Sequence, residues 1–251
     1  MIHLILPIIL GLALIQNDLI NEKTLNQKTN DQQETAYDVP ILRVHNTGYT
    51  ELERLYFQHS VGGKAINEAT KIAIKYDDTF LEIKFECRDN PRMDQNYLTE
   101  NNSPLFNQEV FEIFISPGEE ASERYWEIQI NPNNALFVAK VNNKYKTDKT
   151  FDLELIDNKV ANIAHEVIKD RKNNVWKGYL KIPLDLIQDP KQQDNAVFRM
   201  NLFRIISNED HKDPEWQHNS QNATFACWNS PKTESPNFHK PEYFGLLYLK
   251  N

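Results

Sequence analysis

From Tyr37 onward the apolar residues come in short stretches, and within most stretches they fall on every second position. Thr70–Tyr76 sets Ile72, Ile74 and Tyr76 against Lys71, Ala73 and Lys75. After Asp77-Asp78-Thr79, the residues Leu81, Ile83, Phe85 and Cys87 alternate with Glu82, Lys84, Glu86 and Arg88. Successive side chains of a strand point to opposite faces, so this period predicts two half-buried strands joined as a hairpin. Turn chemistry separates further predicted strands at Val110–Ser116, Tyr125–Asn131, Leu136–Val141, Ala161–Lys169, Val175–Ile182, Val197–Ile206, Thr224–Trp228 and Tyr243–Leu249. Only Leu184–Gln188 and Thr50–Tyr56 read as helical, and both are short. Many short strands without a long amphipathic helix predict an all-β fold: one antiparallel β-sandwich, immunoglobulin-like in architecture, with one or two short helices. Pro40 and Pro241 sit at segment edges, where a missing N–H is tolerated.

The start of the chain differs from this pattern. Leu4–Ile15 is an apolar run of signal-peptide length, too short to span a bilayer as a helix. Gln16–Thr35 is polar, rich in Asn and Gln, and nearly free of core-forming residues, as a linker is. The expected organisation is a signal peptide over 1–16, a polar linker over 17–36 and the sandwich over 37–251. The expected address is the periplasm or the cell exterior, with no membrane span once the signal is removed.

Composition narrows the partners. Lys and Arg number 28 against 36 Asp and Glu, a formal charge of −8 over 251 residues. Such a chain lacks the basic footprint that nucleic acids require, and anionic membranes are disfavoured for the same reason. None of the seven glycines forms a GxGxxG or GxxxxGK[ST] loop, which argues against a nucleotide-phosphate cradle. Two cysteines, Cys87 and Cys227, exclude a zinc ribbon and a disulfide-dense scaffold but admit one disulfide in an oxidising compartment. Neutral ligands remain.

Two strands break the alternation in an informative way. Val110–Ile115 is apolar on both faces except at Glu112. An unpaired buried carboxylate costs several kcal/mol, so Glu112 must be paired or must open onto a pocket. In the next strand Trp126, Ile128 and Ile130 point one way, while Tyr125, Glu127, Gln129 and Asn131 form a polar row on the other face. If the two strands are neighbours, Glu112 and this row share a surface. Large rings on loops add to the picture: Phe106 precedes the Glu112 strand, Trp216 lies in a polar loop, and Trp228 lies in Ala226–Pro231. Aromatic faces cover the apolar face of a pyranose, and acid, amide and guanidinium groups suit its hydroxyls. Trp176 reads as core.

These residues resemble a known pattern. Asn102-Ser103-Pro104-Leu105-Phe106, the strand Glu109–Ile115 and Tyr125–Asn131-Pro132 resemble the central part of family 9 carbohydrate-binding modules and their stand-alone bacterial relatives. Cys227-Trp228-Asn229-Ser230-Pro231 followed by Pro236-Asn237-Phe238-His239-Lys240-Pro241-Glu242-Tyr243-Phe244-Gly245 is similar to the ending of those relatives. The resemblance implies a β-sandwich that binds mono- or oligosaccharides, plant-type glycan fragments among them, in some members by gripping a reducing end between two rings. Carried over by position, Trp228 would be one ring and Phe106 the other, where many relatives have Trp. Glu112 would accept sugar hydroxyls, with Glu127, Gln129, Asn131 and His239 beside it. Arg88 or Arg92 would supply a guanidinium contact. The resemblance implies no cofactor beyond a structural calcium ion, for which Asp77, Asp78 and Asp89 are candidates. It further implies a monomer acting beside polysaccharide-degrading enzymes.

Two other functions are open at this stage. A glycoside hydrolase needs two carboxylates roughly 5–5.5 Å or 6.5–9.5 Å apart, and Glu112 with Glu127 could be such a pair. Some similar DOMON-type sandwiches hold haem, for which Met93, Met200 and seven histidines are possible axial ligands, though none sits at informative spacing. His239 could instead hydrogen-bond backbone and fix its turn.

Overall fold

Every segment predicted as a strand contains one, with some ends displaced by a few residues. The structure, a computed structural model, describes residues 38–144, 150–191, 197–211, 213 and 215–250, so the expected signal peptide and linker lie outside the described residues. Val39–Asn251 is one compact unit. In chain order the strands are β1 (Ile41–His45), β2 (Thr50–Glu51), β3 (Tyr56–His59), β4 (Ala65–Tyr76), β5 (Phe80–Cys87), β6 (Val110–Pro117) and β7 (Arg124–Ile130). They continue with β8 (Leu136–Asn142), β9 (Asp152–Leu155), β10 (Ala164–Asp170), β11 (Val175–Pro183), β12 (Val197–Ser207), β13 (Ala223–Cys227) and β14 (Gly245–Lys250). The described α-helices are single turns, α1 (Asn158–Ala161) and α2 (Leu184–Ile187), and no described helix is long and apolar enough to cross a membrane.

Two layers face each other. One has the order β3-β13-β12-β6-β7-β8-β9, with β14 pairing the first half of β12 and β1 running parallel to β14. The other has the order β10-β11-β5-β4, with β2 on part of β4. All pairings except β1 with β14 are antiparallel. Strand β4 belongs to both layers: its first half pairs β3 and its second half, from Thr70, pairs β5. A buried ion pair holds this corner. Arg204, fully enclosed, donates to the carbonyls of Ala69 and Arg88 and to Thr70 Oγ1, while its Nε lies 3.4 Å from Glu109 Oε1. Glu109 Oε2 in turn accepts from Ser207 N–H. Burial pushes the Glu109 carboxyl up to about 7, although Arg204 pulls the other way.

Alternation explains two separate apolar clusters. The inner faces meet between the layers: Ile72, Ile74, Leu81, Ile83, Phe85, Trp176 and Leu180 from one, Phe111, Ile113, Ile115, Ile128, Met200 and Leu202 from the other. Gly178 stands opposite Phe85, whose ring occupies the place a Cβ would take. The outer face of the β12-β6-β7-β8 layer is apolar as well. Val110, Phe114, Tyr125, Phe137, Ala139, Phe203 and Ile205 form a second core there, covered by Leu105, Phe238 and Phe244 from the loops.

The expected helix over Thr50–Tyr56 is absent. Thr50 and Glu51 pair with Ile74 and Ala73, Leu52 N–H donates to the Ile72 carbonyl, and the Leu55 carbonyl accepts from Thr70 N–H. The edge of β4 takes the backbone groups that a helix would pair internally. The strand expected from Ala161 starts at Ala164, because α1 ends on Asn162 in the left-handed region at φ 53°. Cys87 and Cys227 are both buried and free, one in each cluster, so the disulfide that the count admitted is not formed. Met93 and Met200 are buried in the inner core, as packing residues.

Candidate functional site

The covered outer face is incomplete at one place. Strands β6 and β7 are neighbours, with Glu112 opposite Gln129 and Phe114 opposite Glu127, so the acid and the polar row do share a surface. The register across the sheet runs Cys227, Phe203, Glu112, Gln129, Phe137 in one row and Asn201, Phe114, Glu127, Ala139 in the next. Above these rows the loops leave a cavity of about 440 Å³. Glu112, Glu127 and Ile205 form its floor, on the strands. Phe106, Phe151, Phe225 and Phe238 supply rings around it, and Asn107, Leu153, His218, Pro236, Asn237 and His239 complete the lining.

The rings are held from behind. Phe106 is 41% exposed and rests edge-on against Phe137, 6.1 Å between centroids. Its loop is tied down by His218, whose N–H donates to the Asn107 carbonyl and whose Nδ1 lies 3.4 Å from the Phe106 carbonyl. A carbonyl only accepts, so Nδ1 carries the proton there and Nε2 accepts from Ser207 Oγ at 3.1 Å. Burial holds the His218 imidazole down to about 3, so it is neutral at physiological pH. Phe238 stacks on Phe203 at 4.3 Å. His239 stacks on Phe151 at 4.1 Å, and its Nδ1 lies 2.7 Å from the Tyr125 hydroxyl. Asn143 Nδ2 donates to the His239 carbonyl, and Asn237 Oδ1 accepts from His239 N–H. His239 thus lines the cavity, with its backbone held by Asn237 and Asn143 and its ring against the Tyr125 hydroxyl.

The floor is electrostatically unsettled. Glu112 and Glu127 are 2% and 3% exposed. Gln129 Nε2 donates to Glu127 Oε1, but Glu112 Oε1, Glu127 Oε2 and Gln129 Oε1 have no hydrogen-bond partner. Burial pushes Glu127 up to about 7 against the pull of that amide. Burial, and after it the neighbouring charge of Glu127, pushes Glu112 well above the usual carboxylate range. Cys227, beside Glu112, is raised by its own burial and by that acid. Buried polar atoms are nearly always satisfied, so unpartnered acid oxygens at a cavity floor call for a hydrogen-bonding occupant.

Not every expected residue converges here. Trp228 is 3% exposed and belongs to the inner core, packed where Gly245 leaves room for its ring, so it offers no stacking face at this cavity. Ala226 and Trp228 share the inward parity, whereas Cys227 points to the outer face. Asn131 is fully buried and structural: its Oδ1 accepts from Asn133 and Ala135 N–H and its Nδ2 donates to the Leu98 carbonyl. Gln129 lies behind Glu127 and does not line the cavity. Neither arginine reaches it. Arg88 pairs with Glu86 on the opposite layer, and Arg92 pairs with Asp210 and donates to the Ser207 carbonyl. Asp77 Oδ1 accepts from Thr79 and Phe80 N–H and closes the β4–β5 turn, and Asp89 adopts a left-handed φ of 57°. Among the described residues no three metal-ligating side chains converge.

The sequence reading missed Phe151, Phe225, Phe238 and His218. Phe238 stands within the quoted C-terminal run and Phe225 within a predicted strand. Only tertiary structure brings them to Glu112.

Comparison with known proteins fits this geometry. No family model matches the chain. An "Extracellular protein" of Arthroderma benhamiae (strain ATCC MYA-4681 / CBS 112371) is 31% identical over 180 residues, which cover 70% of this chain and 76% of the relative. Among solved structures, a protein of Bacteroides uniformis ATCC 8492 named "putative carbohydrate-binding protein" superposes with a TM-score of 0.60 at 14% identity, covering 84% of this chain and 99% of that one. A family 9 carbohydrate-binding module of Caldicellulosiruptor kristjanssonii, in complex with cellotriose, gives 0.47 at 12% identity over 84% and 93% of the two chains. At the level of the fold, the resemblance read from the sequence stands. By the extent of its identity to the Arthroderma benhamiae extracellular protein, the chain belongs to that protein's family.

Proposed function

We propose that this protein binds mono- or oligosaccharides, without catalysis, outside the cell. One observation carries the reading: a cavity of about 440 Å³ sets exposed and half-buried aromatic rings over two buried carboxyl groups with unpartnered oxygens. That volume lies within the roughly 300–1,000 Å³ of small-molecule sites. Phe106 would cover the apolar face of a sugar ring, Glu112 and Glu127 would bond its hydroxyls, and His239 would close the far side. The name of the Bacteroides uniformis protein and the extracellular name of the family relative support this reading. In this proposal the ligands are plant-type glycan fragments bound at a terminal unit, and the protein serves polysaccharide-degrading enzymes as a monomer.

The carboxyl pair also bears on hydrolysis. A retaining or inverting glycosidase keeps one acid protonated and the other ionised, with environments that push their pKa values apart. Here burial pushes Glu127 up to about 7, and burial with the charge of Glu127 pushes Glu112 well above the usual carboxylate range. Hydrolysis is therefore the second reading, and turnover of an aryl glycoside that is abolished in Glu112→Gln would select it over binding alone. Calorimetric titration with glucose, cellobiose and xylobiose tests the proposal beside Phe106→Ala, which removes a ring that is 41% exposed, with a thermal melt confirming that the variant is folded. Wild type is expected to bind at least one saccharide, in the micromolar to millimolar range, and the variant to lose about tenfold or more. Failure of all three sugars, or equal binding by the variant, rejects the assignment.

A further inference from the structure

We propose that the cavity selects a protonated amine, and that its preferred ligand is an amino sugar whose ammonium group seats between Glu112 and Glu127. This deepens the sugar-binding reading and rests on it for the ring that carries the amine.

The hydrogen-bond inventory is the first ground. Glu112 and Glu127 are more than nine-tenths buried and line the cavity, and in them Glu112 Oε1 and Glu127 Oε2, both closed to solvent, have no partner. Gln129 cannot turn a donor to the cavity without releasing Glu127, because its amide nitrogen already serves Glu127 Oε1. The floor thus holds unsatisfied acceptors and no free donor from Gln129. A sugar hydroxyl donates one hydrogen, whereas an ammonium donates three in a compact tetrahedral fan.

Charge is the second ground. Among the described residues lining the cavity none is Lys or Arg, and His218 is neutral. Among the described residues, the other titratable groups near the two acids include His239, Tyr125 and Cys227. Tyr125 and Cys227 are both pushed upward by burial and so stay neutral. Among the described lining residues the two acids have no lysine or arginine beside them, and an ionised carboxylate so buried is stabilised by a cation that arrives with the ligand. Glu127 titrates near neutrality, so at that pH its ionisation on meeting an ammonium asks little. The third ground is the set of rings. Phe106, Phe151, Phe225 and Phe238 line the same cavity, and aromatic faces attract ammonium groups as well as the apolar face of a pyranose. The same set disfavours acidic sugars, since Arg88 and Arg92 are engaged elsewhere.

The test titrates the whole chain at neutral pH with glucosamine, glucose, N-acetylglucosamine and cyclohexylamine, which keeps a six-membered ring and an amine but no hydroxyl. Glucosamine is expected to bind about tenfold or more tighter than glucose, and acetylation of the amine is expected to remove that gain. In Glu127→Gln the ratio of glucosamine to glucose affinity is expected to fall towards one. Equal affinity for glucosamine and glucose in the wild type overturns the amine inference and leaves sugar binding standing. Binding of cyclohexylamine with no binding of any sugar rejects the sugar reading and keeps the ammonium site. Binding of none rejects both. The wild-type comparison needs no variant, so a Glu127→Gln chain that failed to fold would leave the inference open to refutation.

Discussion

Replacing Glu127 by Gln measures what it costs this fold to keep an acid on the cavity floor. Burial lifts the Glu127 carboxyl from 4.5 to about 7, with the Gln129 amide pulling the other way. Between those values the folded chain holds a proton that the unfolded chain has released, so the group's contribution to stability falls as pH rises through the window. Below about 4.5 both states are protonated and the contribution is nil. Above 7 the whole difference is felt, about 3 kcal/mol at roughly 1.4 kcal/mol per unit. Gln has the same shape, and its Oε1 can go on accepting from Gln129. The variant should therefore match the wild type near about pH 4 and exceed it by about 3 kcal/mol near about pH 8. Taking the difference removes the groups both chains share, including Glu109, raised like Glu127, and His218, whose lowered value acts in the opposite sense between about 3 and 6.5. It also relieves Glu112 of the charge that is its second cause of elevation. Urea denaturation followed by tryptophan fluorescence reads the effect as a midpoint shift of about 1 M or more at the alkaline end. A difference that stays flat across pH, or a variant weaker than wild type at the alkaline end, would refute the reasoning.

Three other substitutions probe the scaffold. Trp228→Ala should cost about 3–5 kcal/mol in a denaturation midpoint, as an inner-core ring does, with saccharide affinity unchanged in the protein that remains folded. Arg204→Met leaves Glu109 enclosed without its cation and should cost about 3–5 kcal/mol at pH above 7. Its cost should be smaller near about pH 5, where Glu109 keeps its proton, and Arg204→Met with Glu109→Leu should recover much of the loss, all read by urea melts at the two pH values. Gly178→Ala sets a Cβ 2.0 Å from Phe85 Cζ, in a ring already stacked on Phe111 and edge-on to Trp176. Thermal melting should show a loss of about 1–3 kcal/mol, and no loss would mean the ring has a second place to go.

The legible part of this molecule is what period two dictates. The hairpin β4–β5, the polar row of β7 and the anomaly at Glu112 are local patterns, and each landed on the face that alternation assigns. The same rule also contained the answer for Trp228. With Cys227 on the outer face beside Phe203, its successor had to point inward. A resemblance in the surrounding motif suggested a binding ring where parity allowed only a core one. Asn131 follows a different logic: it begins the turn Asn131–Ala135, and a short amide at such a place satisfies backbone first. Phe151, Phe225 and His218 were beyond local reading, since each is an ordinary residue until the loops bring it to strands β6 and β7. The Glu109–Arg204 pair was half readable. Arg204 interrupts the inward series Met200, Leu202, Ile206, but its partner sits 95 residues away.

The second core is what joins these observations. An outer sheet face carrying Val110, Phe114, Phe203 and Ile205 cannot be left in water without exposing a large apolar patch, so the segments around Leu105, Phe238 and Phe244 must fold over it. Once they do, any acid on that face is stripped of water along with the rings. The sequence places two acids there, and the loops stop short of sealing them. Removing Glu112 and Glu127 for apolar residues would complete the core at a gain in stability, as replacement of buried charges commonly does. Their presence in an otherwise apolar layer is therefore a cost that packing alone does not account for, and a ligand that bonds the free oxygens is the physical account of it.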